Sequence, residues 1–259
     1  MVVDDIVGGR PIFDEFFATI QNHSVSPSSD DHVDAINAIG LAATTWNVDD
    51  FGLPSRLLMS KHQMVVWVGG ENGGLSEREE VFVENYLNGG GCFFMSAQDY
   101  SSQRGFTPFM QDFLGLQDIF QDNLNLIFGD FGLEIEVEGT GPLYPLSEFY
   151  SGQFINSRAG PDELIPGLAS SLLEGGFGEE GPQTAATYYD SSTYGAAFLG
   201  FPLEVIQPAA SRGDILQRVF NDCSYPHDVT VPGLPLPPED DEPGPPIGPP
   251  PIEVASSPS

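Results

Sequence analysis

Positive charge is scarce in this sequence. Eight Lys and Arg residues stand against 38 Asp and Glu among 259 residues, which gives a formal net charge of −30. Lys61 is the single lysine. Proteins that hold DNA or RNA need clustered cations to neutralise the phosphates, so the composition argues against a nucleic-acid partner. The same shortage disfavours an anionic membrane surface, and the dispersed acids predict a solvated, self-repelling exterior.

Long apolar runs are missing as well. No stretch approaches the roughly 18 apolar residues that a membrane-spanning helix needs, so we expect no membrane insertion. The chain enters a predicted strand directly at Met1, without the pattern of a signal peptide. A strand at the first residue is typical of a domain cut from a longer chain, and this leaves export open.

Cysteine is also rare, with only Cys92 and Cys223 present. Neither belongs to a CxxC pair or has a neighbouring histidine, so a zinc site is not indicated. Cys92 begins a predicted strand and Cys223 follows a predicted helix, and in a doubly wound sheet those two ends lie at the same edge. Two interpretations stay open: a disulfide, or two buried thiols that behave as small apolar side chains.

The most informative segment present is Leu75–Tyr100, with the sequence LSEREEVFVENYLNGGGCFFMSAQDY. Ser76 and Glu79 have the spacing of a capping box, which predicts a helix that begins near Glu77. Its apolar residues recur every three to four positions and form one buried stripe: Phe82, Val83, Tyr86 and Leu87. The opposite, solvent-facing side would carry Glu77, Arg78, Glu80 and Glu84.

A glycine turn and a strand follow this helix. Gly89–Gly91 predict its end, because glycine readily adopts the left-handed conformation of a helix C-terminus. The run Cys92–Ser96 is apolar without alternation up to Met95, which is typical of a strand covered on both faces. A helix joined to such a strand by a short turn indicates a parallel sheet.

Strands and helices alternate through most of the chain. The predicted strands are Met1–Asp5, Leu41–Val48, Met64–Val68, Cys92–Ser96, Leu133–Glu138, Ala185–Tyr189 and Gly195–Phe201. The predicted helices cover about residues 10–20, 32–39 after an Asp31 cap, 77–87, 106–116 and 213–222. This order predicts an α/β fold, a three-layer sandwich with a mainly parallel doubly wound sheet.

Composition changes twice along the chain. Residues 117–183 contain a stretch rich in Gly, Pro and Ser and are interpreted as an irregular insertion within one domain, residues 1–224. Residues 225–259 hold 12 of the 23 prolines and six acidic residues, with no Lys or Arg. Such a segment cannot bury a core, so we expect an extended, disordered linker or tail.

Four pieces of sequence occur in the order of a known family: VVDD, MVVWVGG, the segment Leu75–Tyr100, and AAFLGFPLEVI followed by a helix. Over about residues 1–223 the chain resembles class I glutamine amidotransferase-like domains of exported or surface-anchored bacterial proteins. The resemblance implies a flavodoxin-like sheet and an extracellular or cell-surface location. It also implies that the chain is a piece of a longer surface protein, with other domains of that protein as its partners.

The catalytic residues of that family are not found here. Its enzymes place a cysteine nucleophile on a sharp elbow after a strand, and a His and Glu pair further along serves it. Cys92 lies at the start of its strand instead, and Ser96 or Ala97 takes roughly the elbow position. No His-x-Glu pair occurs near the end of the chain. The resemblance therefore implies a catalytically inactive binding or architectural module, and we lean against an enzyme.

Polar residues nevertheless follow several predicted strands. Their expected meeting place is the carboxyl edge of the sheet, where open α/β sheets bind ligands. They could hold a hard cation such as Ca²⁺ or a small polar ligand such as a sugar, although no cofactor is predicted. The alternative is that they cap helices and satisfy loop amides. These candidates are Asp4, Asp5, Gly69, Gly70, Ser96, Gln98, Asp99 and Glu204.

Two further functions stay open as hypotheses. The first is a divergent hydrolase that uses Ser96, with Asp99 as its helper, or the acidic strand ends. No GxSxG elbow surrounds Ser96 and no histidine can be assigned to it, which counts against this hypothesis. The second is a subunit of a surface assembly, in which the acidic Pro-rich tail would reach a neighbour.

Overall fold

The computed structural model describes residues 2–4, 29–70, 73–121, 127–129, 132–141, 149–154, 161–178, 181–207 and 209–223. The chain divides into the units Met1–Val229 and Thr230–Ser259, and all described residues belong to the first. The helix predicted at residues 10–20 and the tail at 225–259 lie outside the described residues.

The described residues form thirteen strands and seven helices. The strands are β1 (Val2–Asp4), β2 (Thr45–Asn47), β3 (Met64–Gly70), β4 (Cys92–Ala97), β5 (Leu116–Phe120), β6 (Ile127–Gly129), β7 (Gly132–Gly139), β8 (Phe149–Phe154), β9 (Glu163–Pro166), β10 (Ser170–Gly178), β11 (Gly181–Asp190), β12 (Gly195–Leu199) and β13 (Ile206–Gln207). The helices are α1 (Ser29–Ala38), α2 (Val48–Phe51), α3 (Arg56–Met59), α4 (Glu77–Leu87), α5 (Tyr100–Arg104), α6 (Pro108–Asp112) and α7 (Ala209–Asp222). None of the helices in this part of the chain is long and apolar enough to cross a membrane.

The main sheet is mixed, so the prediction of a mainly parallel doubly wound sheet is wrong. Its strand order is β13-β8-β7-β10-β11-β12-β4-β3-β1-β2, and β6 pairs with β7. Four of the described pairings, from β12 through β4, β3 and β1 to β2, are parallel. The other six are antiparallel, and β5 and β9 form a separate antiparallel pair.

The prediction of a mainly parallel sheet fails in residues 117–183, the region interpreted from the sequence as an irregular insertion. The described parts of this region contain five whole strands, β6 to β10, and most of a sixth, β5. β10 has the sequence SSLLEGGFG, and three register shifts interrupt its pairing with β11. Glycines and bulges remove the alternation that identifies a half-buried strand, because an extra residue at a bulge inverts the side-chain pattern.

The parallel half of the sheet is buried on both faces. Val66 and Phe94 face a core formed with α1 and α7, whereas Trp67 and Phe93 face a second core formed with α3, α4 and α6. All six residues of β4 are buried, as predicted for a strand covered on both faces. Adjacent side chains of one strand therefore belong to different cores, which is why these strands do not alternate in polarity.

The helix before β4 forms as predicted. The Ser76 amide donates to Glu79 Oε2 at 2.6 Å, and the Glu79 amide donates to Ser76 Oγ at 3.4 Å. This reciprocal capping box starts the helix at Glu77. The glycine turn after it contains Gly90 at φ 88°, a left-handed value that favours glycine.

Three other element boundaries differ from the prediction. The first described helix begins at Ser29, so Asp31 lies inside its first turn and is not its cap. β2 is only three residues long. The helix predicted at 106–116 shrinks to Pro108–Asp112, because the chain turns at Gly115 (φ 67°) and enters β5.

Cys92 and Cys223 form a disulfide, with their Cα atoms 5.6 Å apart. The bond joins the first residue of β4 to the residue that follows α7. Both cysteines are buried in the core shared by these two elements. Of the two interpretations left open by the sequence, the paired one describes the structure.

Candidate functional site

Ser96 lies near the carboxyl end of β4 and is completely buried. Its hydroxyl donates to the carbonyl oxygen of Phe201 at 3.2 Å and accepts from the amide of Leu203 at 2.7 Å. A serine hydroxyl has one proton, and here that proton is given to a backbone carbonyl. Ser96 therefore joins β4 to the segment that follows β12, and its oxygen is not presented to solvent.

The sharp turn after β4 occurs at Asp99, so the expectation of Ser96 or Ala97 at the elbow is wrong. Both of those residues are still within the strand. Asp99 has φ 58° and ψ 21°, and α5 begins directly after it. A non-glycine residue in this left-handed region is uncommon, although aspartate tolerates it better than most. The half-buried Asp99 is thus the residue that this strand-to-helix turn exposes.

Asp162 stabilises the Asp99 turn. Its Oδ2 accepts the Asp99 amide at 2.9 Å, and its own amide donates to the carbonyl of Gly200 at 2.8 Å. A Cβ at Gly200 would lie 2.7 Å from the Asp162 carbonyl oxygen, so this position requires glycine. Asp162 is completely buried and was missed from the sequence. Its one local signal, the pair Pro161-Asp162, indicates a turn and not a partner 63 positions away.

Gln98 is completely buried, and its amide nitrogen and oxygen have no hydrogen-bond partner in the described structure. Burying such a group without a partner costs about 1–3 kcal/mol. Gln98 lies between the strand end and the Asp99 turn. Its position agrees with the predicted polar edge, and its hydrogen-bonding capacity is unused.

Gly69 and Gly70 reach the same edge, as predicted, and the structure shows why Gly69 has no side chain. A Cβ on Gly69 would lie 2.6 Å from the Gly73 carbonyl oxygen and 2.8 Å from the Cβ of Ala97. Gly70 pairs with Ala97 in the sheet. Gly69 is therefore packed between Gly73 and Ala97 and has no room for a side chain.

The two acidic residues of the first strand can be placed only in part. Asp4 ends β1 and lies in register with Val68 of β3 and Asn47 of β2. Its backbone is therefore at the predicted edge. The Asp4 side chain and all of Asp5 lie outside the described residues.

Glu204 lies in a 3₁₀ turn, Leu203–Val205, that follows β12. Its Oε2 is 3.7 Å from Nε2 of His32, a completely buried residue of α1. Nearby on α7, Arg212 forms an ion pair of 2.8 Å with Asp31 and donates to the carbonyl of Ile206. Glu204 thus joins the turn to α1 through His32, while the separate Arg212–Asp31 pair joins α7 to α1. No local pattern in the sequence indicates a role for His32, because its partner is 172 positions away.

The prediction that Glu80 lies on the solvent-facing side of α4 is wrong, because Glu80 is buried and belongs to a hydrogen-bonded network. Its Oε1 accepts from the Tyr100 hydroxyl at 2.8 Å and the Thr107 hydroxyl at 2.9 Å, and Arg104 pairs with it at 2.9 Å. Burial is the main reason that the pKa of Tyr100 lies well above 10, and the nearby carboxylate of Glu80 raises it further. The network fixes α5, directly after the Asp99 turn, against α4.

The chemistry available at this edge is limited. No group of three or more His, Cys, Asp or Glu side chains in the described part of the chain could hold a metal ion. The Ser96 hydroxyl is engaged by backbone groups, and a carboxylate supports the Asp99 turn. At the end of β4, the polar side chain without a hydrogen-bond partner in the described structure is the buried amide of Gln98.

No protein-family model matches the sequence, and no curated protein is significantly similar to it. Solved structures do share the fold. A cold-adapted β-galactosidase from Rahnella sp. R3 aligns with a TM-score of 0.52 and 16% identity, over 76% of this chain and 27% of its own. A catalytic mutant of a GH42 β-galactosidase from G. stearothermophilus aligns with a TM-score of 0.51 and 8% identity, over 75% and 26%. The chain thus spans about a quarter of these enzymes, and the likeness concerns the fold alone.

Proposed function

We propose that the chain is a non-catalytic binding or architectural module of the amidotransferase-like type. The observation that carries this proposal is the burial of Ser96, whose hydroxyl donates to one backbone group and accepts from another. A nucleophilic serine needs a base in hydrogen-bond reach and access to substrate. The Ser96 hydroxyl instead donates its hydrogen bond to the Phe201 carbonyl oxygen. The partner of such a module is a small polar ligand or another domain of a larger protein.

The proposal places this module outside the cell or at its surface. The support is the Cys92–Cys223 disulfide, which uses both cysteines of the chain. Structural disulfides form and persist in oxidising compartments, whereas cytosolic thiols are kept reduced. The high density of acidic residues agrees with a soluble, extracellular surface.

A hydrolase centred on Asp99 is the second candidate. The left-handed turn between β4 and α5 is the observation in its favour, because hydrolases of several α/β folds expose their nucleophile on a sharp strand-to-helix turn. Against it, the Asp99 amide is held by the carboxylate of Asp162. That partner positions the turn but supplies no histidine base.

Activity assays on the oxidised full chain separate these two functions. Suitable probes are p-nitrophenyl esters, a p-nitrophenyl β-galactoside and L-glutamine, each tested with the wild type, Asp99→Asn and Ser96→Ala. Asp112→Asn, which changes an exposed aspartate, is the matched control. If the chain is a non-catalytic module, neither the wild type nor any variant should show turnover above the blank. Turnover that Asp99→Asn removes and Asp112→Asn keeps would establish the hydrolase.

Calcium binding is the alternative to a purely structural edge that we test, because carboxylates at strand ends supply the oxygen ligands that calcium prefers. Asp4 ends β1 and Asp99 follows β4, close to the same edge. A thermal unfolding series with added CaCl₂ or EDTA tests it. We expect equal midpoints, because the structural role of this edge needs no ion. A rise with calcium that Asp99→Asn abolishes would assign an ion site.

A further inference from the structure

Unpaired positive charge is concentrated on one surface of the described structure. Six of the eight Lys and Arg residues belong to the described part of the chain. Two of them form ion pairs, with Glu80 and with Asp31, and Arg218 on α7 opposes the rise that burial causes in the pKa of Asp222. The other three are exposed, have no ion pair among the described residues, and lie on α3, on the turn after it or on α4: Arg56, Lys61 and Arg78.

These three cations border one surface, because α3 lies along one side of α4. The Tyr86 hydroxyl of α4 is 3.4 Å from the carbonyl oxygen of His62, which follows α3. A Cβ at Gly89, just after α4, would lie 3.9 Å from Nη2 of Arg56. Arg78 precedes Tyr86 by eight residues, and residues four and eight apart share one side of a helix. Arg78 therefore lies on the side of α4 that faces α3.

Exposed aliphatic side chains accompany these charges. Leu57, next to Arg56, is 68% exposed, and Val81, one turn after Arg78, is 52% exposed. Glu77 is the single exposed acid within residues 55–61 and 76–88. The set considered below is named the α3–α4 surface and consists of Arg56, Leu57, Lys61, Arg78 and Val81.

The other acids of α4 lie toward α5 and α6. Glu80 is buried, where it accepts hydrogen bonds from Tyr100 and Thr107. Burial, and then the carboxylates of Glu80 and Asp112, raise the pKa of Glu84. Because Asp112 belongs to α6, Glu84 lies on the α6 side of its helix. The cations and the acids of α4 are thus on different sides.

We propose that the α3–α4 surface is a docking site for an acidic segment of a partner polypeptide. Carboxylates of the partner pair with Arg56, Lys61 and Arg78, and an aliphatic side chain of the partner packs on Leu57 and Val81. The proposal deepens the binding role given above by assigning a surface to the partner domain. It does not depend on the Asp99 turn, because neither Ser96 nor Asp99 belongs to this surface.

Charge complementarity selects an acidic partner. Cations without a partner in their own chain attract carboxylates, whereas a chain of net charge −30 repels an acidic segment over most of its exterior. The contrast directs the segment to this surface and fixes its orientation. The aliphatic side chains favour a polypeptide over a nucleic acid, because bases stack on aromatic side chains.

Fluorescence anisotropy on the oxidised full chain tests the docking site. The probe is a fluorescein-labelled peptide of repeated Glu-Leu-Glu units. We expect saturable binding in about 50 mM NaCl that weakens at least about tenfold in about 500 mM NaCl, because salt screens exposed charges. An absence of saturable binding at the lower salt concentration would overturn the proposal. The non-catalytic role would be unaffected by that result, because it rests on Ser96.

Charge reversal tests the cationic part of the surface. Arg78→Glu should weaken binding of the peptide at least about tenfold. Arg218→Glu is the matched control, because it makes the same charge change on α7, which covers the opposite face of the sheet, and it should weaken binding less than about twofold. Equal losses in the two variants would show attraction to the whole chain and contradict a defined site.

A pair of leucine variants tests the apolar part. Leu57→Ser should weaken binding about three- to tenfold, because burial of this side chain against the peptide is lost. Leu168→Ser changes a leucine that is 74% exposed and lies outside the surface, so binding should not change. Equal affinities of the two variants would contradict an aliphatic anchor. Tighter binding of a labelled oligothymidylate, removed by Arg78→Glu, would identify a nucleic-acid site and refute the polypeptide partner.

Discussion

At the scale of single residues, the carboxyl edge of the parallel strands is used mainly for packing and for backbone hydrogen bonds. Ser96 joins two backbone groups, Gly69 fits between Gly73 and Ala97, and Asp162 supports the left-handed Asp99. From the sequence alone, Ser96 and Gly69 could be placed near the edge because they end or follow predicted strands. Asp162 was missed because its partner is in another strand connection.

The first prediction concerns Ser96→Ala. The substitution leaves the Phe201 carbonyl and the Leu203 amide without their shared partner, so the free energy of unfolding should fall by about 1–3 kcal/mol. Urea denaturation measures the change. The control is Ser60→Ala, which removes an exposed hydroxyl and should change the free energy by less than about 0.5 kcal/mol. Equal stability of the two variants would contradict a structural Ser96.

At the scale of elements, short sequence patterns predict those helices and strands whose boundaries depend on interactions between neighbouring residues. The capping box of α4, its glycine end and the continuous burial of β4 were all legible within the segment 75–100. The burial of Glu80 was not, because its partners Tyr100 and Thr107 lie 20 and 27 positions away. A helical wheel cannot show that a later loop covers the charged side of a helix.

Glu80→Gln tests that network. The neutral amide loses the charge-assisted bonds from Tyr100, Thr107 and Arg104, so we expect a loss of about 1–3 kcal/mol in unfolding free energy. Glu77→Gln alters an exposed residue one turn away on the same helix and serves as the control. The comparison uses urea midpoints at pH 7. A larger effect from Glu77→Gln would mean that Glu80 does not anchor α5.

Tyrosine ionisation predicts a loss of stability at alkaline pH. Burial raises the pKa values of Tyr86, Tyr100 and Tyr194 in the folded protein, so their contribution is fully present below pH 10 and is lost as the pH rises further. Urea midpoints from pH 8 to 11 should therefore fall above pH 10. Tyr100→Phe should make the fall shallower. An unchanged slope would show that Tyr100 does not contribute.

At the scale of the whole molecule, the parallel half of the sheet was predictable and the antiparallel half was not. Alternating helices and strands indicate parallel pairing because each helix returns the chain to the same edge. β7, β8 and β10 instead pair across Gly-rich segments, with bulges between β10 and β11 that no short sequence window reveals. Long-range pairing of this kind leaves little local signal.

The disulfide should dominate global stability. It links residues separated by 131 positions, and closing a loop of that size in the unfolded chain corresponds to about 5 kcal/mol in the chain-entropy model. We expect reduction to lower the free energy of unfolding by about 2–5 kcal/mol, measured by urea denaturation with and without dithiothreitol. The double variant Cys92→Ala, Cys223→Ala should be insensitive to dithiothreitol. A wild type that is equally stable in both states would refute this account.

The central claim is that Ser96 is a structural residue of a non-catalytic module, and its chemical reactivity tests this most directly. An alkyl fluorophosphonate, which forms adducts with activated serines, is incubated with the oxidised full chain, and adducts are mapped by peptide mass spectrometry. We predict no adduct on Ser96, because its hydroxyl is buried and donates to the Phe201 carbonyl. A stoichiometric adduct on Ser96 in the folded protein would contradict the account.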